Sequence, residues 1–294
     1  MQPSSTHSTN SPRSGFTLIE LLVAITIVIL LMGIFYVAVI PVLTTGKESQ
    51  VQSDLTSLGA SLGNFKMEFH DLPPSTFTLR ESDTGWTNSE RAVLRRFWPN
   101  YDFSTANAFD ANGNGNSTDE ITMNGAECMT FFLGGILTVD ATDEGNRVPS
   151  GFSKNPAAPF STGGTRVGPF FEFNVDRLVL LDTDSDSSKD DEFKMYTDPL
   201  SGGGQPYMYI HNDDYVNPTS ALSGSGMTKV YSQNTAEDVF WNAQTYQLIS
   251  AGSDGVYGTG GVFDPNTADS DLVGSARDPE RDNMTNFNRA RLAP

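Results

Sequence analysis

The sequence is poor in the residues on which many exported domains and enzymes depend. Its 294 residues include one cysteine, Cys128, which excludes an intrachain disulfide. Its three histidines, His7, His70 and His211, form no recognisable pair with a cysteine or with a serine and an aspartate, and neither HExxH nor CxxC occurs. The sequence therefore predicts that the protein is not an enzyme. A hydrolase that uses two carboxylates is the one enzymatic alternative left.

Basic residues are scarce as well. Lysine and arginine number 18 against 36 aspartates and glutamates, so the formal net charge is -18. Such a surface repels phosphate backbones, which argues against a nucleic-acid partner. It favours divalent cations, or simply solubility. Because no disulfide can staple an exported domain of this chain, bound metal is a candidate for that role.

One long hydrophobic run contrasts with this polar composition. Residues 21–40 carry no charge, and about 20 such residues suffice for a helix to cross a bilayer. A single acid, Glu20, stands at the start of the run. A carboxylate beside hydrocarbon is costly unless it finds a partner, so Glu20 is a candidate functional residue. An ordinary signal anchor with a stray acid is the alternative.

The string GFTLIELLVAI, residues 15–25, resembles the N-terminus of the type IV pilin and pseudopilin superfamily. The resemblance implies that residues 1–15 are a leader, which a prepilin peptidase removes after Gly15. The same enzyme would methylate the new amine of Phe16. Residues 16–43 would be the transmembrane helix that later forms the filament core. Glu20 would pair with the Phe16 amine of a neighbouring subunit, which removes the cost of two lone charges in lipid.

A second apolar pattern follows in residues 44–294, which we expect to form one globular domain. Its first stripe recurs at steps of four and three residues, as on an amphipathic helix that ends before Pro73 and Pro74: Val51, Leu55, Leu58, Leu62, Phe65 and Phe69. Residues 75–193 resemble no segment of the family that we can name and are interpreted as an enlarged variable region. Within it, residues 88–90 predict the start of a short helix that continues to Trp98. The alternation of Phe171, Phe173 and Val175 predicts a strand.

Residues 194–287 resemble the major pseudopilins of type II secretion. The segment from Tyr196 to Ile210 is similar to their Asp-Pro-Trp-Gly…Pro-Tyr-x-Tyr segment, with Leu200 in place of the tryptophan and a longer loop. Residues 246–261 are similar to their last strand and the Ser-x-Gly-x-Asp-Gly loop after it. The ending Asp282-Asn-Met-Thr-Asn-Phe287 resembles that of related pilin-like proteins.

Calcium is the cofactor that this resemblance implies, because the corresponding loop and the acidic stretch behind it bind calcium in the family. The matching carboxylates here are Asp254, Asp264, Asp269 and Asp271. Two further acidic stretches are candidate sites. Asp110–Asn116 has an oxygen-bearing side chain at every second position, like the first half of an EF-hand loop, but Ile121 replaces the glutamate at its twelfth position. In Asp182–Glu192, a solvated hairpin tip is the alternative.

The sequence thus predicts an α+β, pilin-like fold, in which a long N-terminal helix packs on an antiparallel β-sheet with large loops. The expected function is that of a structural subunit of a type II secretion pseudopilus. A surface type IV pilin or a minor pilin is one alternative, and a membrane-anchored, calcium-dependent binding protein is another. Expected partners are other pseudopilins in a homo- or hetero-polymer, the prepilin peptidase and the inner-membrane assembly platform. The protein would span the bacterial inner membrane once, with its globular domain outside the cytoplasm.

Overall fold

The computed structural model describes residues 15–82, 85–103, 109–139, 147–182, 192–202, 204–234, 236, 239–268 and 272–293, without the side chains of residues 36–44. Two compact units are distinguished, Met1–Gly46 and Lys47–Pro294, and helix α1, Leu18–Phe69, contains the boundary between them. The two units differ in how their apolar side chains are covered.

In the first unit, α1 exposes apolar side chains all round. The segment Leu18–Phe35 is long and apolar enough to cross a membrane, and none of it is buried. Phe16, just before the helix, is exposed over 86% of its surface. The backbone stays helical across Pro41 and continues to Phe69. Apolar surface costs roughly 25 cal/mol per Å² in water, so this segment requires lipid or protein around it.

In the second unit, α1 is amphipathic and buries one face. The predicted stripe is confirmed, since five of its members expose 2% of their surface or less: Val51, Leu55, Leu58, Leu62 and Phe65. Phe65 enters an aromatic cluster with Phe97 and Phe132, with ring centroids 5.2–5.9 Å apart. Tilted and edge-on contacts of this kind add to the free energy gained by burying the rings.

A polar contact joins the same part of α1 to the chain around Thr197. Asp54 Oδ2 accepts hydrogen bonds from the Arg177 guanidinium and from the Tyr207 hydroxyl, each at 2.8 Å. The guanidinium lies 4.2 Å from the centroid of the Tyr196 ring and also donates to the Thr197 carbonyl. Because both charged side chains are largely buried, loss of one partner would leave the other desolvated and unpaired.

The strands form small antiparallel sheets. The largest described sheet has the order β11-β10-β9, in which Tyr246 pairs with His211 and Ile249 pairs with both Met208 and Thr285. The other described sheets are two-stranded and pair β1 with β2, β3 with β4, β5 with β6, and β7 with β8. The strand bounds are β1 Phe77–Arg80, β2 Glu120–Met123, β3 Leu137–Val139, β4 Arg147–Pro149, β5 Phe152–Ser153, β6 Arg166–Val167, β7 Leu178–Val179, β8 Met195–Tyr196, β9 Met208–His211, β10 Tyr246–Ser250 and β11 Met284–Thr285. Mixed helix and small antiparallel sheets confirm the α+β class.

The predicted short helix is α2, Asn88–Phe97, and its N-cap lies one residue before the predicted start at residues 88–90. Thr87 is the N-cap: its hydroxyl accepts from the Glu90 N–H at 3.3 Å, and the Glu90 carboxylate accepts from the Thr87 N–H at 2.7 Å. Each bond satisfies a backbone donor that the first helical turn leaves free. The helix ends at Phe97, just before Trp98 and Pro99.

Helix α3, Gly125–Gly134, was not expected from the sequence. All ten of its residues are buried, and Asn124 caps it by accepting from the N–H groups of Ala126 and Glu127. Its start packs tightly on β9, because a Cβ atom added to Gly125 would lie 1.8 Å from the Tyr209 carbonyl oxygen. A helix buried on every side shows no amphipathic period, which is why its sequence did not stand out. Cys128 lies in this helix and is fully buried.

The strand predicted from Phe171, Phe173 and Val175 is wrong. Residues 170–174 are irregular, Val175–Arg177 is a 3₁₀ turn, and β7 begins only at Leu178. The alternation has another cause: Phe171 and Phe173 pack against each other and against the Tyr196 ring, with centroids 4.8–5.5 Å apart. Aromatic contacts from an irregular segment thus imitated a strand pattern.

Candidate functional site

Glu20 lies in the first turn of α1 and is held there by Thr17. Its Oε2 accepts hydrogen bonds from the Thr17 N–H and hydroxyl, both at 2.8 Å, and its own N–H donates to Thr17 Oγ1 at 3.3 Å. This reciprocal cap fixes the carboxylate at the end of the helix where the helix dipole favours negative charge. Thr17 was not predicted from the sequence to contact Glu20, although the Thr-x-x-Glu spacing is a known capping signal.

Gly15 and Phe16 precede the helix and are exposed. Among the described residues, no atom other than those of its chain neighbours would lie within 4 Å of a Cβ added to Gly15. The peptide bond between them is therefore open to an enzyme, and Phe16 lies next to the residue that caps Glu20. The rest of the predicted leader, residues 1–14, lies outside the described residues.

The first turn of the C-terminal loop (residues 251–271), at Ser253 and Asp254, lies against Asp282. Asp282 Oδ2 accepts from the Ser253 N–H at 2.7 Å, from the Ser253 hydroxyl and from the Asp254 N–H at 3.2 Å. Its other oxygen, Oδ1, is buried and has no hydrogen-bond partner in the described part of the chain. Burial and the nearby charge of Asp282 raise the pKa of Asp254. The Asp254 carboxylate accepts from the Val256 N–H at 2.8 Å and lies near enough to Asp282 to feel its charge. Asp282 was not predicted from the sequence to belong to this loop.

The predicted calcium ligands are only partly described. Asp264 accepts from the N–H and side-chain amide of Asn266 at 2.9 and 2.8 Å, within its own turn. Asp269 and Asp271 lie outside the described residues. In the part of the chain that the structure describes, no group of three or more histidine, cysteine, aspartate or glutamate side chains is arranged to hold a metal ion. Calcium at this loop stays a prediction.

The segments that resemble pseudopilins meet one another in space. Asp198, of the Asp-Pro segment, accepts from the N–H groups of Leu200 and Ser201 and from the hydroxyl of Ser250, at the end of β10. Asn283 donates to the Tyr257 carbonyl at 2.9 Å. Buried polar side chains that are satisfied in this way hold loops to strands in a domain without disulfides.

The acidic stretch Asp182–Glu192 ends at a buried acid pair. Glu192 is 3% exposed and shares a hydrogen bond with Glu127, which is fully buried in the first turn of α3. Glu127 also accepts from the N–H groups of Asn124 and Phe193, each at 2.9 Å. Burial, together with the Glu192 carboxyl group, raises the pKa of Glu127 well above its ordinary value. Residues 183–191 lie outside the described residues.

Comparison with known proteins gives one match. Residues 10–36 match the family model described as the prokaryotic N-terminal methylation motif, and this range contains Gly15, Phe16 and Glu20. Neither the curated proteins nor the solved structures contain a match to the chain. The motif implies a type IV pilin-like protein that is processed by a prepilin peptidase and associated with the membrane.

The Glu127–Glu192 pair predicts a stability that depends on pH. A raised pKa means that the folded state keeps a proton which the unfolded chain releases above about pH 4.5. Stability should therefore fall as the pH rises from there toward the raised pKa of Glu127, by at most about 1.4 kcal/mol per pH unit. Glu192→Gln should flatten this dependence and stabilise the protein at pH 8, because the amide donates to Glu127 without needing a proton.

The measurement is urea unfolding of the full chain in non-ionic detergent from pH 5 to 8, followed by tryptophan fluorescence. Glu172→Gln is the matched control, since Glu172 is exposed. If Glu192→Gln kept the same slope as the wild type and the control, the shared proton would be disproved.

Proposed function

We propose that the protein is a structural, non-catalytic subunit of a type II secretion pseudopilus that polymerises through its N-terminal helix. The observation that carries the proposal is the segment Leu18–Phe35, apolar and uncovered throughout, with a single carboxylate fixed at its start. Such a surface is satisfied by lipid in a monomer and by neighbouring helices in a polymer. One segment thus serves as membrane anchor and as assembly surface.

Cleavage after Gly15 creates the positive charge that can pair with Glu20. Before cleavage the Phe16 nitrogen is a neutral amide, and afterwards it is an amine that is protonated at neutral pH. The carboxylate of Glu20 in a neighbouring subunit can then neutralise it inside the apolar bundle. Both charges are costly in a low dielectric unless paired, so processing and assembly are coupled by electrostatics.

The C-terminal half supports a pseudopilin in particular. The contacts Asp198–Ser250 and Ser253–Asp282 bring together the segments that resemble major pseudopilins. We infer that the subunit is first anchored in the bacterial inner membrane, with its globular domain outside the cytoplasm. It would then bind the inner-membrane assembly platform. There it would join a periplasmic polymer of identical subunits or of several pseudopilins. In the surface-pilin alternative, the same polymer would extend outside the cell.

The first test concerns processing. Intact mass spectrometry of the protein from membranes should give a chain that starts at Phe16 and carries one added methyl group. Gly15→Ala should still be cleaved, because alanine is small, whereas Gly15→Trp should accumulate uncut. A mature chain that starts after residue 30, or one that keeps Met1, would contradict the proposal.

The second test concerns assembly. Glu20→Ala should enter the membrane and be cleaved, yet form filaments poorly, because each Phe16 ammonium loses its partner at a cost of about 3 kcal/mol per contact. Filaments are counted by immunogold electron microscopy, which also shows whether they are periplasmic or on the surface. Glu68→Ala is the control, since Glu68 is an exposed acid on the same helix. Equal filament counts for Glu20→Ala and the wild type would rule out the pairing.

Calcium at the C-terminal loop is the second part of the proposal. The residues present fit the ion in part: Asp254 and Asp282 converge, and the buried Asp282 Oδ1 has no donor among the described residues. Calcium takes six to eight oxygen ligands, often from carboxylates and loop carbonyls. We infer that Asp254, Asp264, Asp269 and Asp271 hold calcium with Asp282. The ion would join the loop to the end of the chain.

This part predicts that calcium protects the loop. Hydrogen-exchange mass spectrometry of the full chain in detergent should show slower exchange in residues 250–285 with calcium than with chelator. Calcium should raise the free energy of opening this loop by roughly 2.7 kcal/mol when its concentration is a hundredfold above the dissociation constant. Asp254→Asn should abolish the local protection, whereas Asp278→Asn should keep it, because Asp278 is exposed in the same 3₁₀ segment as Asp282. Equal exchange with and without calcium would refute the site.

A further inference from the structure

A second group of oxygen ligands surrounds the loop of residues 110–119, which is followed directly by β2. Asp110 accepts from the N–H groups of Gly113, Asn114 and Gly115 at 2.6, 3.1 and 2.8 Å. Asn114 and Asn116 both direct their side-chain amides at the carboxylate of Asp119. Such turns can form without any ion, so these hydrogen bonds alone do not indicate a ligand.

Glu81 is the feature that the turns leave unexplained. Its backbone closes the neck of the 110–119 loop: its N–H donates to the Asp119 carbonyl at 2.9 Å, and its carbonyl accepts from the Phe109 N–H at 3.4 Å. Its side chain is fully buried, and Oε1 accepts from the Ala111 N–H at 2.6 Å. Because Ala111 follows Asp110, the carboxyl group of Glu81 lies within the base of the loop.

The second oxygen of this carboxyl group is unsatisfied. Glu81 Oε2 is buried and has no hydrogen-bond partner in the ranges that the structure describes. Burial, followed by the charges of Asp119 and Asp110, raises the pKa of Glu81 to about 8, while the Ala111 and Asn112 N–H groups act in the opposite direction. A buried carboxyl oxygen without a partner is costly, and the cost grows when the charges of further carboxylates, here Asp110 and Asp119, lie nearby.

We propose that the 110–119 loop and Glu81 together form a calcium site, separate from the C-terminal loop. Asp110, Asp119 and Glu81 would provide three carboxylates. In this structure they are not gathered as a metal-binding group, so the ion would have to draw them together. Asparagine side-chain oxygens at every second position would add neutral ligands. The side-chain oxygens of Asn114 and Asn116 accept the N–H groups of Asn116 and Thr118 at 2.7 and 3.2 Å. An amide oxygen has two lone pairs, so it can accept such a bond and also face a cation. Hard cations with six to eight oxygen ligands suit such a set.

Glu81 also compensates for the residue that the sequence pattern lacks. An EF-hand loop ends in a glutamate at its twelfth position, and here that position is Ile121, which is fully buried in β2. Glu81, which follows the paired strand β1, brings a carboxylate to the loop from outside it. The ion would therefore tie the end of β1 to the start of β2. Arg147 donates to the Gly113 carbonyl at 2.7 Å. Gly113 is the fourth loop residue and not one of the expected ligand positions.

The test is calcium titration of the full chain in non-ionic detergent by isothermal calorimetry, in an Asp254→Asn background that reduces binding at the C-terminal loop. Glu81→Gln and Asp119→Asn should each weaken the remaining calcium binding by about tenfold or more, since each removes one ligand charge. Glu120→Gln should leave it unchanged: Glu120 is the next residue after Asp119, but its carboxylate pairs with Arg80.

Hydrogen exchange locates the effect. Calcium should slow exchange in residues 109–123 of the parent and of Glu120→Gln, and should not do so in Glu81→Gln. Glu81→Gln keeps the shape of the buried side chain without its charge, so near-ultraviolet circular dichroism should be unchanged. Calcium affinity and local protection that survive Glu81→Gln would overturn the proposal. So would a chain in which calcium leaves residues 109–123 unprotected. Neither outcome affects the proposed assembly through the N-terminal helix.

Discussion

Helix α1 imposes the constraint on which the rest of the molecule depends. Its segment Leu18–Phe35 has no polar face, whereas residues from Val51 onward bury one apolar stripe and expose the opposite side. The first surface can be satisfied only by lipid or by other protein, and the second is satisfied within the chain. One helix thus carries two kinds of apolar surface. A monomer buries the second kind by itself, whereas the first needs a membrane or a neighbouring subunit.

The globular unit must be stabilised without a disulfide, although its sequence is strongly acidic. Several carboxylates are placed inside and used as hydrogen-bond acceptors. Asp198 accepts from two backbone N–H groups and a serine hydroxyl, and Glu280 accepts from the N–H groups of Thr259 and Gly260 and from Arg277. These buried acids connect loops to strands, and charge-assisted bonds of this type are stronger than neutral ones. They provide part of the stabilisation that disulfides provide in many other domains.

Two acids depart from this rule in the described part of the chain. Asp282 and Glu81 each satisfy one oxygen within the chain, and in the described residues the second oxygen of each is buried without a partner. Both lie beside another carboxylate in a loop rich in glycine or asparagine. Glu127 differs, because both of its oxygens accept backbone N–H groups and a shared proton removes the repulsion from Glu192.

The sequence by itself determined the features that depend on local pattern. The uncharged run, the cleavage and methylation motif, the stripe from Val51 to Phe65 and helix α2 all follow from residues that are close together in the chain, so periodicity and capping signals suffice to identify them. Residues of the candidate site that belong to a motif, such as Gly15, Phe16 and Glu20, were found in the same way. Even Thr17 was detectable, because its cap of Glu20 spans only three residues.

Only the tertiary structure decided which distant groups share an environment. Helix α3 is buried on all sides and so lacks a helical period, and the alternating phenylalanines near Phe171 pack on Tyr196 from an irregular segment. Glu81 reaches the 110–119 loop because β1 pairs with β2, and Asp282 reaches Asp254 because β11 pairs with β10. Strand pairing brings together residues far apart in sequence, and no local pattern records which pairs form. The burial that leaves a carboxyl oxygen without a donor is therefore a property of the fold alone.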